Sequence, residues 1–212
     1  LVTSLAFIVG IVALAKRQAL AKELASVELL ARVDTLCLDK TGTITTGEIS
    51  YGGLQVLPGV DETEVAGALG AMGAADPSPN PTLSAIIAAH PAPDGWTADE
   101  ITPFSSARKW AATHFVDRGS YYLGAPEFLV GPDDAVLDLV RSAAETGSRV
   151  LVLSHAPGDH QGERLPDGCR TLAIITLEDT VRADAPEILA YFRDQGVRLK
   201  VISGDNPATV AA

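Results

Sequence analysis

Apolar positions change their spacing twice in the first part of the chain. Residues 1–15 are uncharged and almost entirely apolar, which is typical of a helix buried in a membrane or in a protein core. From Lys16 to Arg32, apolar residues recur every three or four positions with charged residues between them, which predicts an amphipathic helix. Residues 33–38 are a short apolar run, which predicts a buried strand that ends at Asp39.

The rest of the chain alternates strand and helix patterns. In the middle, strands are predicted at 49–57, 110–116, 120–123 and 150–153, and helices at 61–74, 82–90 and 133–146. After residue 169 the pattern predicts a strand at 172–177, a helix at 183–195 and a strand at 198–202. This order predicts an α/β fold, in which a parallel-sheet domain (33–47 and 169–212) carries an inserted α+β domain at 48–168.

Composition excludes one broad class of function. The chain has 212 residues and a formal net charge of −11, whereas a nucleic-acid-binding protein would need a basic face. We therefore expect no binding to nucleic acid. The two cysteines, Cys37 and Cys169, do not have the spacing of metal ligands, and Cys37 is expected to be a small buried apolar residue.

A polar segment, Asp39-Lys40-Thr41-Gly42-Thr43, follows the first predicted strand directly. The carboxyl ends of strands are where open α/β sheets bind their ligands. Asp39 offers a carboxylate nucleophile of the kind that forms an aspartyl phosphate. Lys40 adds positive charge, and Gly42 lets the backbone approach a phosphate closely. These features favour phosphate chemistry at Asp39.

A second polar turn, Ser203-Gly204-Asp205-Asn206, follows the last predicted strand. The hydroxyl group of Ser203 and the amide of Gly204 can donate to a phosphoryl oxygen, while Asp205 can hold the local geometry. Alone, the tetrapeptide equally fits an ordinary polar turn that caps a helix. Because it repeats the strand–turn pattern around Asp39, we expect it to belong to the same site.

The segment Asp39–Thr43 resembles the phosphorylation signature of the P-type ATPases, a branch of the haloacid dehalogenase superfamily. The resemblance covers nearly all of the chain. It implies that ATP bound to the inserted domain phosphorylates Asp39, and that Mg²⁺ is bound by Asp39 and the backbone carbonyl group of Thr41. The residues that it assigns to contacts with the phosphoryl group are Thr41, Thr43, Ser203 and Gly204.

The same resemblance assigns a nucleotide site to the inserted domain. It implies that Phe104 stacks on adenine, that Lys109 meets the phosphates, and that the backbone at Gly124 and Ala125 approaches the base. The further residues that it assigns to this function are Arg149 and, in a hinge segment, Asp179 and Arg182. Since Leu83 and Leu123 stand where relatives carry polar contacts to the nucleotide, we expect weak ATP affinity.

The start of the chain fits a membrane protein. Basic residues directly after residues 1–15 follow the positive-inside rule, so we expect 1–15 to be the end of a transmembrane helix and 16–32 a cytoplasmic stalk helix. Fifteen residues fall short of the roughly 20 that span a bilayer, so a buried soluble helix stays open. The resemblance implies a multi-pass plasma-membrane pump for a divalent cation, Ca²⁺ by similarity to actinobacterial calcium-pump-like members. It places the cation site outside this segment, which is not expected to pump alone.

Two other functions stay open. Soluble haloacid-dehalogenase-type phosphatases carry an acid/base Asp two residues after the nucleophile, but Thr41 stands there and cannot take a proton from water near neutral pH. The second alternative is a non-catalytic nucleotide-binding module, which Leu83 and Leu123 favour. Rapid hydrolysis of small phosphate esters would indicate the first alternative, and ATP binding without phosphorylation would indicate the second.

Overall fold

The computed structural model describes residues 2–23, 25–131, 134–158 and 162–202. The α/β fold class expected from the sequence is confirmed. The elements in chain order are α1 (Val2–Lys16), α2 (Ala25–Ala31), β1 (Thr35–Asp39), β2 (Thr45–Val56), α3 (Glu62–Ala75), α4 (Pro81–Ala89), β3 (Ala98–Thr102), β4 (Trp110–Phe115), β5 (Gly119–Gly124), α5 (Pro126–Leu129), α6 (Val136–Ala144), β6 (Arg149–Ala156), β7 (Arg170–Val181), α7 (Ala185–Asp194) and β8 (Arg198–Ile202).

The chain divides into two compact units. Unit 1 contains Leu1–Asp39 and Ala183–Ile202, and the described part of unit 2 is Lys40–Arg182. The expected boundaries of the inserted domain, 48 and 168, therefore differ from the compact unit that the chain forms. The difference arises because β2 and β7 pair antiparallel along most of their length and so join the sheet of unit 2. The strand predicted at 172–177 for the parallel sheet lies in that sheet instead.

The first helices of unit 1 differ from the expected single helix over 16–32. Helix α1 ends at Lys16 because Gln18 adopts a φ of 61°. The N–H groups of Gln18 and Ala19 donate to the carbonyl groups of Ala15 and Leu14, which is the Schellman arrangement that ends helices. The chain then turns and α2 begins at Ala25, so the prediction of one continuous stalk helix is wrong.

Helix α1 is 15 residues long. No helix in the described part of the chain combines the length and the apolar character needed to cross a bilayer. Helix α1 contacts α2 through a small residue, since a Cβ atom placed on Gly10 would lie 3.2 Å from Cγ1 of Val27.

A parallel strand pair completes unit 1. Strand β1 pairs with β8 in a register that sets Asp39 opposite Ile202. The strand predicted before Asp39 is present, but its expected burial is wrong. Cys37 is exposed rather than buried, because β8 is the one partner strand of β1 among the described residues.

Unit 2 is built on a six-stranded antiparallel sheet in the order β2-β7-β6-β5-β4-β3. Helices cover both of its faces, since α3 and α4 contribute to one hydrophobic core, and α5 and α6 to the other. Successive residues of a strand therefore enter different cores: Val152 lies with Tyr122, and Leu153 lies with Phe115. Both Val152 and Leu153 are fully buried. The sheet is thus a rigid platform for the loops at its ends.

Candidate functional site

Asp39 is the last residue of β1, and its register partner Ile202 is the last residue of β8. In a parallel pair both carboxyl ends lie at the same edge, which is where such sheets bind ligands. The described chain therefore reaches residue 202 beside Asp39. The remaining predicted residues of this strand end, Ser203, Gly204 and Asp205, lie outside the described residues.

The loop Lys40–Ile44, here called the Lys40 loop, begins unit 2 with a tight turn. Thr41 has φ and ψ angles of −78° and 122°, and Gly42 has 76° and −3°. These are the angles of a type II turn, whose third position needs a positive φ and therefore favours glycine. Thr41 and Thr43 are both exposed. The turn thus presents the two threonine residues that were expected to contact a phosphoryl group.

Thr45, which the sequence analysis missed, fixes this loop. Its hydroxyl group accepts from the N–H group of Gly42 at 3.3 Å and faces the carbonyl oxygen of Lys40 at 3.4 Å. The side chain is almost fully buried, so both contacts are shielded from water. A threonine in this sequence gives no signal of such a role, because the contacts exist only once the turn has formed.

Lys40 forms an ion pair with a residue far away in the sequence. Its Nζ atom lies 2.8 Å from Oδ2 of Asp179, and their side chains are 13% and 6% exposed. The guanidinium group of Arg149 lies on the other carboxylate oxygen, 3.9 Å from Oδ1. Lys40 was expected at the phosphorylation site, Arg149 at the nucleotide and Asp179 in the hinge. The structure brings all three together.

The sheet of unit 2 explains this convergence. All of its neighbouring strands are antiparallel, so the ends of β3, β5 and β7 and the starts of β2, β4 and β6 share one edge. We call it the Gly124 edge, because β5 ends there at Gly124. The predicted residues that lie at this edge or in the loops that leave it are Lys40, Phe104, Lys109, Gly124, Ala125, Arg149, Asp179 and Arg182.

Close backbone packing joins two of the predicted nucleotide segments. The N–H group of Ala125 donates to the carbonyl oxygen of Lys109 at 3.0 Å. Gly124 pairs with Trp110, and a Cβ atom on Gly124 would lie 2.4 Å from Cβ of Trp110 and 2.5 Å from the carbonyl oxygen of Lys109. Only glycine fits there. Lys109 itself has a φ of 63° and an exposed side chain.

The loop that contains Phe104 is held by Arg108, which the sequence analysis did not assign to the site. The guanidinium group of Arg108 contacts the carboxylate of Glu163 and donates to the carbonyl oxygen of Pro103 at 2.7 Å. It also lies 5.3 Å from the ring centre of Trp110. Phe104 is left 45% exposed. An exposed aromatic ring beside basic side chains suits stacking on a nucleotide base.

The hinge segment, which contains Asp179 and Arg182, extends the pairing of β2 with β7. The N–H group of Arg182 donates to the carbonyl oxygen of Ile44 at 3.0 Å, directly beyond the pairing of Thr45 with Val181. The Lys40 loop and the hinge are therefore hydrogen-bonded to each other.

Leu83 and Leu123, which stand where the resemblance expects polar residues that contact the nucleotide, are core residues. Leu83 and Leu123 are 7% and 6% exposed and belong to the same hydrophobic core. Their burial explains why apolar side chains occupy these positions. The expected weak ATP affinity remains a prediction.

The two oxygen donors that the resemblance assigns to a metal would suit Mg²⁺ rather than a transition metal. In the described part of the chain, no three His, Cys, Asp or Glu side chains are grouped as a metal site. Mg²⁺ commonly needs only one or two carboxylates, and phosphate oxygens of the substrate complete its shell. The carboxylate of Asp39 and the backbone carbonyl group of Thr41 are oxygen donors of this kind.

Comparisons with known proteins agree with the expected family. A family model described as haloacid dehalogenase-like hydrolase matches residues 33–212. The whole chain is 41% identical to the calcium-transporting ATPase CtpE of Mycobacterium bovis and 40% identical to the probable cation-transporting ATPase exp7 of Streptococcus pneumoniae. The chain spans 27% of the length of each of these curated relatives.

Solved structures give the same result. A crystal structure of a zinc-transporting PIB-type ATPase in the E2·Pi state matches 99% of the chain with a TM-score of 0.63 and 26% identity. The match covers 32% of that chain. The chain belongs to the haloacid dehalogenase-like hydrolases, and its predicted resemblance to the P-type ATPases is confirmed.

Proposed function

We propose that this chain is the nucleotide-binding and phosphorylated segment of a P-type pump that uses ATP to move a cation across the plasma membrane. The observation that carries the proposal is the convergence of predicted nucleotide residues at the Gly124 edge of unit 2. Asp39 comes immediately before the Lys40 loop of that unit in the sequence. A nucleotide site and a carboxylate nucleophile that are this close along the chain suit transfer of a phosphoryl group.

Phe104 stacks on the base, and the tight backbone packing at Gly124 and Ala125 keeps that surface free of side-chain bulk. Lys109 and Arg149 bind the phosphates. A carboxylate oxygen of Asp39 attacks the γ-phosphorus atom, the new P–O bond forms as the bond to the β-phosphate oxygen breaks, and ADP leaves. Thr41, Thr43, Ser203 and Gly204 donate to the oxygens of the transferred group, and Asp205 holds the turn that carries the last two. Asp39 and the carbonyl group of Thr41 would hold Mg²⁺, which would supply neutralisation of the phosphate charge.

The aspartyl phosphate is long-lived in this proposal. Thr41 occupies the position where a phosphatase would carry its general base, and a threonine hydroxyl group does not take a proton from water near neutral pH. A stable phosphoenzyme suits a pump, which needs time to change conformation before hydrolysis. It does not suit a phosphatase, whose turnover depends on rapid hydrolysis.

The cation and the membrane attachment are the finer parts of the proposal. Relatives that match the whole chain are named as calcium-transporting ATPases. Their names support a divalent cation as the transported ion, with Ca²⁺ as the first candidate. The cation would bind in membrane helices of the complete pump, which would be a multi-pass protein of the plasma membrane. Residues 1–15 would lie at the membrane, and the chain from about Lys16 onward would lie on the cytoplasmic side.

The proposal is tested with the complete pump in membrane vesicles. The vesicles are incubated with γ-labelled ATP and Mg²⁺ across a panel of cations, and acid-stable, hydroxylamine-labile label is measured. We expect label that depends on one divalent cation and is absent from the Asp39→Asn variant. ATP binding without label under any cation would contradict the proposal and support a non-catalytic module. Rapid hydrolysis of small phosphate esters would support a soluble-type phosphatase.

A further inference from the structure

We propose that Asp179 is a positioning residue, whose carboxylate holds Lys40 in place and gives up Arg149 when nucleotide phosphates arrive. The inference rests on the proposed function, because it concerns the same nucleotide site. The side chain of Asp179 contacts two cationic side chains to which the resemblance assigns different functions. Oδ2 of Asp179 faces Nζ of Lys40 at 2.8 Å, and Oδ1 faces the guanidinium group of Arg149 at 3.9 Å.

The two contacts are unequal in length and in burial. The Lys40 pair is within hydrogen-bond distance, and neither side chain is more than 13% exposed. The Arg149 contact is longer, and the side chain of Arg149 is 28% exposed. Separating a buried ion pair leaves uncompensated charge and is costly, whereas a partly exposed contact is weak and easily exchanged. Arg149 is therefore the partner that a phosphate can take over.

The strands fix the positions of Lys40 and Arg149 relative to Asp179. Arg149 is the first residue of β6 and lies in register with Leu177, two residues before Asp179 on β7. Lys40 stands in the loop before β2, and β2 pairs Ile49 with Asp179. Asp179 thus sits on a rigid strand between the two cations. Its backbone does not need to move when one of the contacts is exchanged.

A carboxylate in this position has two separate effects. It anchors Lys40, the residue that follows the nucleophile in the sequence, before ATP arrives. It also competes with the nucleotide phosphates for Arg149, since a guanidinium group binds carboxylate and phosphate through the same planar donors. Removing the charge of Asp179 should therefore change phosphorylation and nucleotide affinity in opposite directions. A residue that merely stabilised the fold would weaken both.

The test compares Asp179→Asn with the wild type in the complete pump. We expect ATP to bind about two- to fivefold more tightly, because a partly exposed ion pair contributes up to about a factor of five in affinity. We expect the rate of phosphoenzyme formation to fall by about tenfold or more, because misplacing a reactive group by an ångström can cost up to about a hundredfold. A fall in KM together with a fall in kcat is the diagnostic result.

A double-mutant cycle assigns the affinity effect to Arg149. In an Arg149→Gln background, Asp179→Asn should change ATP affinity by less than about twofold, because the competition has been removed. The slower phosphorylation should persist in that background, because it comes from Lys40. Glu178→Gln is the matched control: Glu178 is the exposed neighbour on β7, and its side chain points to the opposite face of the strand. It should change neither value.

Several outcomes would overturn the inference. Asp179→Asn with unchanged or weaker ATP binding would contradict the competition for Arg149, provided that thermal unfolding shows an intact fold. An equal effect of Asp179→Asn on ATP affinity with and without Arg149 would also contradict it. If the wild-type pump binds ATP and is phosphorylated, and Asp179→Asn behaves in the same way, the inference fails while the proposed function stands. A wild type that neither binds ATP nor is phosphorylated refutes the proposed function as well.

Discussion

Gly124 and Trp110 are paired so closely that a single added carbon atom would not fit between them. A Cβ atom on Gly124 would lie 2.4 Å from Cβ of Trp110. This close approach joins the end of β5 to the start of β4, and it brings Ala125 within hydrogen-bond distance of the carbonyl oxygen of Lys109. Gly124, which the resemblance assigns to a nucleotide site, thus has a structural function in the sheet.

Gly124→Ala should lower the free energy of unfolding of unit 2 by about 1–3 kcal/mol, because an overpacked core forces backbone and side chains to shift. Urea unfolding followed by tryptophan fluorescence measures this loss. Gly131→Ala is the control, since a Cβ atom there would meet no atom within 4 Å. Equal stability of the two variants would show that the contact between Gly124 and Trp110 is not as tight as described.

Thr45→Val should slow phosphorylation of Asp39 without preventing ATP binding. The substitution keeps the shape of the side chain but removes the hydroxyl group that faces Gly42 and Lys40. A lost buried hydrogen bond costs about 1–3 kcal/mol, so the type II turn should become less ordered. Phosphoenzyme formation and ATP binding are measured in parallel. The exposed Thr180, changed to Val, is the control, and an unaffected Thr45→Val would contradict the role of this hydroxyl group.

Phe104→Ala should weaken ATP binding by about 1–3 kcal/mol, which is the range for stacking of a base on an aromatic ring. Isothermal titration with ATP gives the affinity. The matched control is Phe128→Ala, because Phe128 is a similarly exposed aromatic residue on α5, at 49% against 45% for Phe104. Stacking by Phe104 is contradicted if both variants bind ATP like the wild type, or if Phe128→Ala alone is impaired.

Cys37 should react with thiol reagents well before Cys169. Cys37 is exposed on β1, whereas burial raises the pKa of the Cys169 thiol. A raised pKa leaves less of the reactive thiolate at a given pH, so the reaction of Cys169 should be slow at neutral pH and speed up as the pH rises. Mass spectrometry after timed treatment with iodoacetamide shows the order. Faster modification of Cys169 would contradict the exposure of Cys37 and the partial burial of Cys169.

The strongest signals in the sequence were contiguous ones. The segment from Asp39 to Thr43 identified the family, and the apolar run before it located β1 to within two residues. Such signals are readable because every residue that they need lies in one stretch. The sequence also assigned both β1 and β8 to one parallel sheet, because each predicted strand is followed by a polar segment that suits phosphate.

What the sequence did not reveal depends on contacts between distant residues. The ion pair between Lys40 and Asp179 joins residues that lie at opposite ends of unit 2 in the sequence, and no local pattern predicts it. The helix break after Lys16 was missed because Gln18 carries no glycine-like signal for its positive φ. The boundary of the inserted domain was misplaced because β2 and β7 look like any other strands until their pairing is known.

The most direct test of the account is the chemical identity of the phosphorylated residue. The complete pump is phosphorylated with ATP, reduced with borohydride, which converts an aspartyl phosphate to homoserine, and digested for mass spectrometry. We expect homoserine at position 39 and none in a sample that was treated with hydroxylamine first. Homoserine at another aspartate, or a phosphate on a serine or threonine that resists hydroxylamine, would contradict it.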